Sequence, residues 1–533
     1  MPLFDLPSEV LKTIVADECE GRKALKSFRQ VCHVFNQLAQ AALFSKIKLT
    51  MIENSCEICM PLLEALAVGT TNVHEHVRHL EATIICRGEP APNPDEEVQY
   101  KTREYFLKAI DKLKGIHSVQ LRFDLELPDS NWASAGLIDA MTRMVDLTSL
   151  AIDLSGAYIP KFNDLRNLQS LELYSNPDKL SDHASTHGAI ILSNNPEITS
   201  LNIHCSAQQF HSRENRNTGD AIFHKLPDSM KPLKITHLNT RGCDPIRLTD
   251  NVLRHLMNLR SLTYHPETYE PDDTEENKNE DRKLRGWPVR VRGTTRMIKI
   301  ERPLPVVVED IERRRPLATA FWDTLRAKEI HLESLVVNRV DHATLRYIAS
   351  FSGLRSLYIG PIDASRQTLV EHLANMFFED AITNHLETLE ELTIIGPFSS
   401  SWCFGAHNTA LFSQCRKLRS LSLTWDAPAN DSEKTLVCSM IDLSSTLPLL
   451  QKFVIHIAYP RGMREARCGN AFMDFCHSAC ERAQDCLPKH GPLDVEKHPT
   501  EIEVDNLVFR LKECEDGYRY QFSRRSPSTW NRF

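Results

Sequence analysis

Apolar residues recur along most of this chain in the order L-x-x-L-x-L, where L is usually a large apolar residue that we call an anchor. The second and third anchors lie two residues apart, the spacing with which a β-strand buries one face and exposes the other. The pattern therefore predicts twelve short strands. Their middle anchors are Leu80, Val119, Leu150, Leu171, Leu201, Leu238, Leu262, Leu335, Leu357, Leu392, Leu421 and Phe453.

The anchors recur with a mean period of about 30 residues on both sides of one long gap, although single steps range from 21 to 39. One such unit cannot bury its apolar face alone, so neighbouring units must stack. Apolar segments between anchors, such as 105–113 and 369–377, predict helical returns. We expect an α/β fold, an irregular horseshoe-shaped solenoid with parallel strands on its concave face. The alternative is Leu-rich strands scattered through ordinary α/β domains.

Residues 1–49 differ from the repeating pattern and predict compact helices. A first apolar stripe runs from Leu6 to Val15 at helical spacing, and Gly21 interrupts the pattern. A second stripe from Leu25 to Ala39 predicts one amphipathic helix. The alternative for this region is a pair of helices that caps the repeat array.

The long gap lies between Leu262 and Leu335 and is strongly charged, acidic over 267–281 and basic over 282–302. Such blocks predict a solvated insertion, here 265–318, that leaves the array while the array continues beyond it. Trp287, Val289 and Val291 suffice for a short hairpin, and 304–308 predicts one further strand. We expect a mobile segment whose first proteolytic cuts fall between Thr268 and Arg315.

The predicted organisation follows from these patterns. It comprises helices over 1–49, repeats over 50–264, the charged insertion over 265–318, repeats over 319–510 and a loose tail over 511–533.

Composition excludes several enzyme classes by their local signatures. The 19 glycines are never closer than seven residues apart, so GxGxxG, GxSxG and the phosphate-binding GxxxxGK[ST] do not occur. The net charge of −8 disfavours a generally basic nucleic-acid-binding protein. No apolar run is long enough for a membrane span, and no secretory signal is recognisable. Fifteen cysteines without framework spacing favour a reducing compartment, the cytoplasm or the nucleus.

Three groups of residues contain the side chains that commonly bind metals. They are Cys56 and Cys59 near His74, His76 and His79; Cys476, Cys480 and Cys486 with His490; and His183 with His187. The first group has no second CxxC partner, and the third lacks the Glu of the HExxH motif. We therefore expect ordinary thiols and histidines, with no metal and no cofactor.

The two N-terminal stripes resemble the F-box. They read Leu6-Pro7-x-Glu9-Val10-Leu11-x-x-Ile14 and Leu25-x-x-Phe28-x-x-Val31-Cys32-x-x-Phe35-x-x-Leu38-Ala39, about 40 of the 533 residues. With the array behind it, the chain is similar to F-box and leucine-rich-repeat proteins of the irregular kind common in fungi. It departs from them at Phe35, where the family often has Trp, and in the unusually charged loop 16–23.

The resemblance implies a non-catalytic substrate receptor of an SCF (cullin–RING) ubiquitin ligase. In the family, the F-box binds a Skp-type adaptor, which in turn connects to the cullin, and the repeats hold a target protein. The adaptor-binding residues implied by position are Leu6, Pro7, Val10 and Ile14, with Val31, Phe35 and Leu38 supplying the rest of that face or the F-box's own core.

Target recognition is expected on the outward strand positions, which follow or alternate with the anchors. Aromatic and Arg residues are typical of binding hot spots. The candidates are Tyr174, His204, Arg241, His265, Asn338, Tyr358 and Trp425. Two other functional classes remain open: a scaffold that binds protein partners outside any ligase, and an enzyme with an unrecognised site.

Overall fold

The computed structural model describes most of the chain. The described residues are 22–52, 60–86, 96–125, 132–154, 161–175, 182–205, 220–243, 246–265, 286–291, 294–299, 317–360, 367–396, 398–426, 433–458, 478, 480–481, 484–485, 487–489, 491–505 and 507–525. They fall into two compact units, residues 1–243 with 249–258, and residues 244–248 with 259–533. Each unit is mixed α/β, and its strands are mostly parallel.

The first unit alternates strands with helices. Its helices are α1 (Arg22–Phe28), α2 (His33–Leu43), α3 (Met60–Val68), α4 (Val73–His76), α5 (Glu96–Lys112), α6 (Trp132–Thr142), α7 (Asp182–Asn194), α8 (Ala221–His224) and α9 (Asp250–Leu256). Its strands are β1 (Lys46–Ile52), β2 (His79–Cys86), β3 (Ser118–Leu125), β4 (Ser149–Asp153), β5 (Ser170–Ser175), β6 (Ser200–Cys205) and β7 (His237–Arg241).

Strands β1 to β7 pair in sequence order, each parallel to the next, and the anchors face one another. Leu80 pairs with Val119, and Val119 pairs in turn with Leu150. All three are at most 1% exposed, so they form one continuous apolar core. The six strands predicted in this unit are therefore confirmed. Strand β1 precedes them and was missed, although Ile47 aligns with Leu80 as a further anchor.

One backbone pattern joins successive strands. The carbonyl of Arg78 accepts the amides of His117 and Ser118 at 2.9 and 3.1 Å, just before β3 begins. The carbonyl of His117 accepts those of Thr148 and Ser149 in the same way before β4. Each of these carbonyls accepts two backbone amides from the next repeat. The strand starts are therefore aligned, and these backbone groups have hydrogen-bond partners.

The second unit continues the alternation and ends in a hairpin. Its strands are β8 (Ser261–His265), β9 (Gly286–Val291), β10 (Thr294–Lys299), β11 (Ser334–Val337), β12 (Ser356–Ile359), β13 (Glu391–Ile394), β14 (Ser420–Asp426), β15 (Lys452–Ala458), β16 (Glu501–Val504), β17 (Leu507–Cys514) and β18 (Gly517–Arg525). Its helices include α10 (317–327), α11 (His342–Ile348), α12 (Gln367–Met376), α13 (Ala406–Phe412) and α14 (Glu433–Thr446).

The array continues across the charged gap, as predicted. Strand β8 pairs directly with β11, with Ser261 opposite Ser334, and parallel pairing then runs through β16. The six strands predicted in this unit are confirmed, and β16 adds one. Within the gap, β9 and β10 form the predicted antiparallel hairpin. Residues 304–308, Thr268 and Arg315 lie outside the described residues.

Two local predictions were wrong. The stripe from Leu25 to Ala39 forms two helices, because the chain turns at residues 29–31 and Cys32 is extended. The turn places the rings of Phe28 and Phe35 4.1 Å apart, whereas seven residues of straight helix would separate them by about 10 Å. The predicted loose tail is instead ordered up to Arg525, because β17 and β18 pair as antiparallel strands against β16.

Candidate target-binding row

The strands of the first unit present one face to the core and the other outward. In β5, Leu171 and Leu173 are buried, whereas Ser170, Glu172 and Tyr174 are half-buried. The outward face therefore carries the polar and aromatic side chains that alternate with the anchors.

One row of outward residues crosses five neighbouring strands in register. Backbone pairing places Arg122 opposite Asp153, Asp153 opposite Tyr174, Tyr174 opposite His204, and His204 opposite Arg241. We call these five residues the end row, since they lie near the carboxyl ends of β3 to β7. At the usual strand spacing the row is ~19 Å long, enough for several residues of a bound polypeptide.

An aromatic pair occupies the middle of the end row. The rings of Tyr174 and His204 are stacked, with centroids 4.8 Å apart and planes 15° from parallel. The Tyr174 hydroxyl donates to Glu172 Oε1 at 2.7 Å, and His204 Nε2 lies 2.9 Å from the same oxygen. Glu172 thus contacts both side chains from the neighbouring outward position on β5.

The charges at this point are settled by the same contacts. The hydrogen bond with His204 lowers the pKa of Glu172 most, and the Tyr174 hydroxyl and the positive charge of Arg241 add to it, although burial opposes the shift. Burial and the hydrogen bond to Glu172 raise the pKa of Tyr174 to about 12. At neutral pH, Glu172 is therefore an anion and Tyr174 a neutral donor.

Two arginines stand at the ends of the row. Arg122 Nε lies 3.5 Å from Asp153 Oδ2, an exposed ion pair. Arg241 is exposed, and within the described residues its guanidinium makes no hydrogen bond or ion pair within bonding distance. Its planar set of donors suits a carboxylate, the group that guanidinium binds with two parallel hydrogen bonds.

The structure brings three of the predicted target-binding residues together: Tyr174, His204 and Arg241. His265 in β8, Asn338 after β11 and Tyr358 in β12 lie in the second unit, where all three are half-buried at outward positions. Trp425 is different, because it lies on the same face of β14 as the anchors Leu421 and Leu423. It is 1% exposed. Trp425 is therefore a core residue and offers no surface to a target.

Sequence reasoning missed Arg122, Asp153 and Glu172. The sequence position of the first two could have identified them. Arg122 directly follows the third anchor of its repeat, as Tyr174, His204 and Arg241 follow theirs. Asp153 occupies the same position in β4.

The N-terminal helices expose part of the predicted adaptor face. Val31 is 64% exposed and the neighbouring Val34 is 42% exposed, while Leu38 is half-buried. Phe35 is buried against Phe28, so its placement matches a role in the core of the two helices. Leu6, Pro7, Val10 and Ile14 lie outside the described residues.

The metal-ligand candidates gain no support from geometry. Over the part of the chain that the structure describes, no group of three or more His, Cys, Asp or Glu side chains is placed to hold a metal ion. Cys56, Cys59, Cys476, Cys486 and His490 fall outside that part. No described helix combines the length and apolar character needed to cross a bilayer.

Comparison with models of known protein families finds no matching family. Comparison with curated proteins likewise finds no match.

Proposed function

We propose that this chain is a non-catalytic substrate receptor of a cullin–RING ubiquitin ligase, as its resemblance to F-box and leucine-rich-repeat proteins implies. The N-terminal helices bind a Skp-type adaptor, and the outward face of the parallel strands holds the target protein. The single observation that carries the proposal is the end row, an ordered Tyr174–His204 pair set between Arg122 and Arg241 on a face that the core does not use. A receptor of this kind accelerates ubiquitin transfer by proximity alone.

The end row suits recognition of a polypeptide. Tyr and Arg side chains are enriched among the hot spots of protein interfaces because they combine large contact area with directional hydrogen bonds. Glu172 already restrains Tyr174 and His204, so binding costs little further side-chain entropy. The guanidinium of Arg241 favours a target segment with a carboxylate beside an apolar or aromatic side chain.

The adaptor half of the proposal rests on a smaller surface. Val31 in the turn before α2 and Val34 in the first turn of α2 are apolar side chains exposed to solvent, beside a ring pair that joins α1 to α2. Exposed apolar side chains on a short helix are typical of helix-in-groove binding.

Binding to a purified Skp-type adaptor tests that half directly. We expect the full-length chain to bind, Val31→Asp to weaken binding at least about tenfold, and Leu6→Ala with Pro7→Ala to weaken it as well. Val145→Asp is the matched control, since Val145 is 81% exposed beyond the end of α6. Undiminished binding by the Val31 and Leu6/Pro7 variants would contradict the proposed adaptor face.

The target half is tested in a reconstituted ligase. Proteins that accumulate in cells lacking this protein are purified as candidate targets. Each is then ubiquitinated in vitro by the ligase assembled with the wild-type receptor or with Arg241→Ala. We expect at least about a tenfold loss of ubiquitination, with Arg143→Ala as control because Arg143 is an exposed residue just after α6 that is already paired with Asp139. Equal activity of wild type and Arg241→Ala on every target would contradict the role of the end row.

The alternative function is a scaffold whose helices act outside a ligase. It predicts target binding that depends on the end row, with no binding to the adaptor. A location in the cytoplasm or nucleus follows from the proposed ligase role and stays a prediction.

A further inference from the structure

Two cysteines meet directly beyond the end row. Cys205 follows His204 at the end of β6, and Cys243 lies two residues after Arg241. Their Sγ atoms are 2.8 Å apart, and neither cysteine is in a disulfide. Two thiols at this distance need only a small change of side-chain rotamer to reach the length of a disulfide bond, about 2.05 Å.

The backbone between the strands creates this contact. Gly242 separates Arg241 from Cys243 and adopts a φ of +66°, which allows the chain to turn back toward β6. A Cβ atom at Gly242 would lie 2.2 Å from the carbonyl oxygen of Cys205, so only glycine permits the strand ends to come this close. The thiol contact is thus built into the turn and does not arise from a long mobile side chain.

The two thiols differ in access. Cys205 is half-buried and so partly exposed, whereas Cys243 is 3% exposed. Cys243 Sγ also lies 3.5 Å from the carbonyl oxygen of Arg241, which fixes it beneath Cys205. One accessible cysteine with a second one in contact is the arrangement of a reactive and a resolving thiol.

We propose that Cys205 and Cys243 form a reversible disulfide when the protein meets a peroxide. The Cys205 thiolate attacks one peroxide oxygen, the O–O bond breaks, and water leaves after protonation, so that Cys205 becomes a sulfenic acid. The Cys243 thiol then attacks that sulfur, the S–O bond breaks, and a second water leaves. Two thiols are oxidised to one disulfide while one hydrogen peroxide is reduced to two waters. A dithiol reductant reverses the change.

The modification would act on the end row through the backbone. His204 and Arg241 are paired across β6 and β7, and the disulfide joins the chain one residue beyond the first and two beyond the second. Oxidation therefore fixes the strand ends that carry two of the proposed target contacts. This consequence rests on the proposed function, whereas the disulfide itself does not.

Peptide mapping of the full-length protein tests the disulfide without any target. Trypsin cleaves after Arg241, and the resulting peptides 180–213 and 242–247 each contain one cysteine. The reduced protein is treated with hydrogen peroxide in equimolar amount, blocked with N-ethylmaleimide, digested and analysed by mass spectrometry. We expect the linked pair of these peptides to form before any other cystine, and to disappear with dithiothreitol.

Variants separate the proposal from general oxidation. Cys205→Ser and Cys243→Ser should each abolish the linked peptides, and Gly242→Ala should slow their formation at least about tenfold because the added Cβ parts the strand ends. Cys514→Ser is the control, since Cys514 is also half-buried but lies in β17, and it should leave the linked peptides unchanged.

The mapping of the unaltered protein decides the matter even if a variant fails to fold. Absence of the linked peptides while other cysteines oxidise would overturn the proposal. So would the formation of disulfide-linked dimers through Cys205. If the disulfide forms but does not change ubiquitination of a target, the modification site stands and its effect on the end row is excluded.

Discussion

Tyr264 lies flat against Phe321, with ring centroids 5.2 Å apart and planes only 6° from parallel. Tyr264 is in β8 and Phe321 in α10, on opposite sides of the charged segment. Trp322 meets Tyr264 edge-on and reaches Tyr347 in α11, so four aromatic residues form one cluster in the second unit. The apolar core is therefore continuous from β8 to α10 and α11, and β8 pairs directly with β11 with no strand of the charged segment between them.

The first prediction concerns this cluster. Phe321→Ala should lower the free energy of unfolding by about 3–5 kcal/mol, because a 1% exposed ring is lost and the cavity cannot collapse between fixed neighbours. Leu449→Ala, at a position 47% exposed in the same unit, should change it by no more than about 0.5 kcal/mol. Urea unfolding measures both, and equal effects would contradict the assignment of Phe321 to the core.

The second prediction concerns the charged segment itself. Replacing residues 266–316 by a short Gly/Ser linker should leave the unfolding midpoint nearly unchanged, since β8 and β11 pair with each other and closure entropy varies slowly with loop length. In the intact chain, limited proteolysis should cut first between Thr268 and Arg315. A large loss of stability in the shortened chain would show that the segment packs on the array.

The third prediction concerns Asp505, which lies in a left-handed turn with φ of +49° after β16. Burial raises the pKa of its carboxyl to about 7, helped by the nearby charge of Glu503 and opposed by the amide of Ile457. The folded protein thus keeps the proton that the unfolded chain releases near the ordinary value of 3.8. Stability should therefore fall as pH rises from about 4 to 7.

Asp505→Asn should remove that fall and stabilise the protein above about pH 7 by on the order of 4 kcal/mol. Asn tolerates the left-handed conformation and keeps an oxygen for the Ile457 amide, which lies 3.1 Å from Asp505 Oδ1. Thermal unfolding across the pH range measures the change. Asp494→Asn, at an exposed carboxylate, is the control and should leave the fall between about pH 4 and 7 unaltered.

The fourth prediction concerns His385, a fully buried residue that closes one repeat on the next. Its Nδ1 accepts the amide of Leu354 at 3.2 Å and its Nε2 donates to the carbonyl of Ile348 at 3.0 Å. Asn195 plays the same part in the first unit, where its Oδ1 accepts the amide of Leu168 at 2.9 Å. Leu168 and Leu354 are each the first anchor of a repeat.

His385→Asn should therefore cost less stability than His385→Ala, which leaves a buried amide and a cavity and should cost about 2–4 kcal/mol. Burial lowers the pKa of His385, so the neutral ring is the folded form. Its contribution is present above the unfolded value near 6.5 and is lost as pH falls below it. Chemical unfolding of both variants at neutral and acidic pH checks this, and equal losses for Asn and Ala would contradict it.

The apolar spacing determined the strands, their order and the passage of the array across the charged gap. Each strand buries the same two or three anchors against its neighbours, so local pattern and tertiary packing require the same thing. Strand β1 shows the limit of that reasoning, because Phe44, Ile47 and Leu49 follow the same spacing and were assigned to the preceding helices. The break between α1 and α2 was also missed, since a single stripe cannot show whether Phe28 and Phe35 face the same neighbour or each other.

Only the tertiary structure decided which outward residues act together. Arg122, Asp153, Tyr174, His204 and Arg241 are separated by irregular lengths of chain, and strand register alone places them in one row. The contact of Cys205 with Cys243 likewise depends on the left-handed turn at Gly242. Which side chains of a strand are buried follows from the alternation of apolar and polar residues over a few positions, and the sequence shows that alternation directly. Contact between outward side chains depends instead on the strand register that each connecting segment allows, and the packing of neighbouring repeats decides that register.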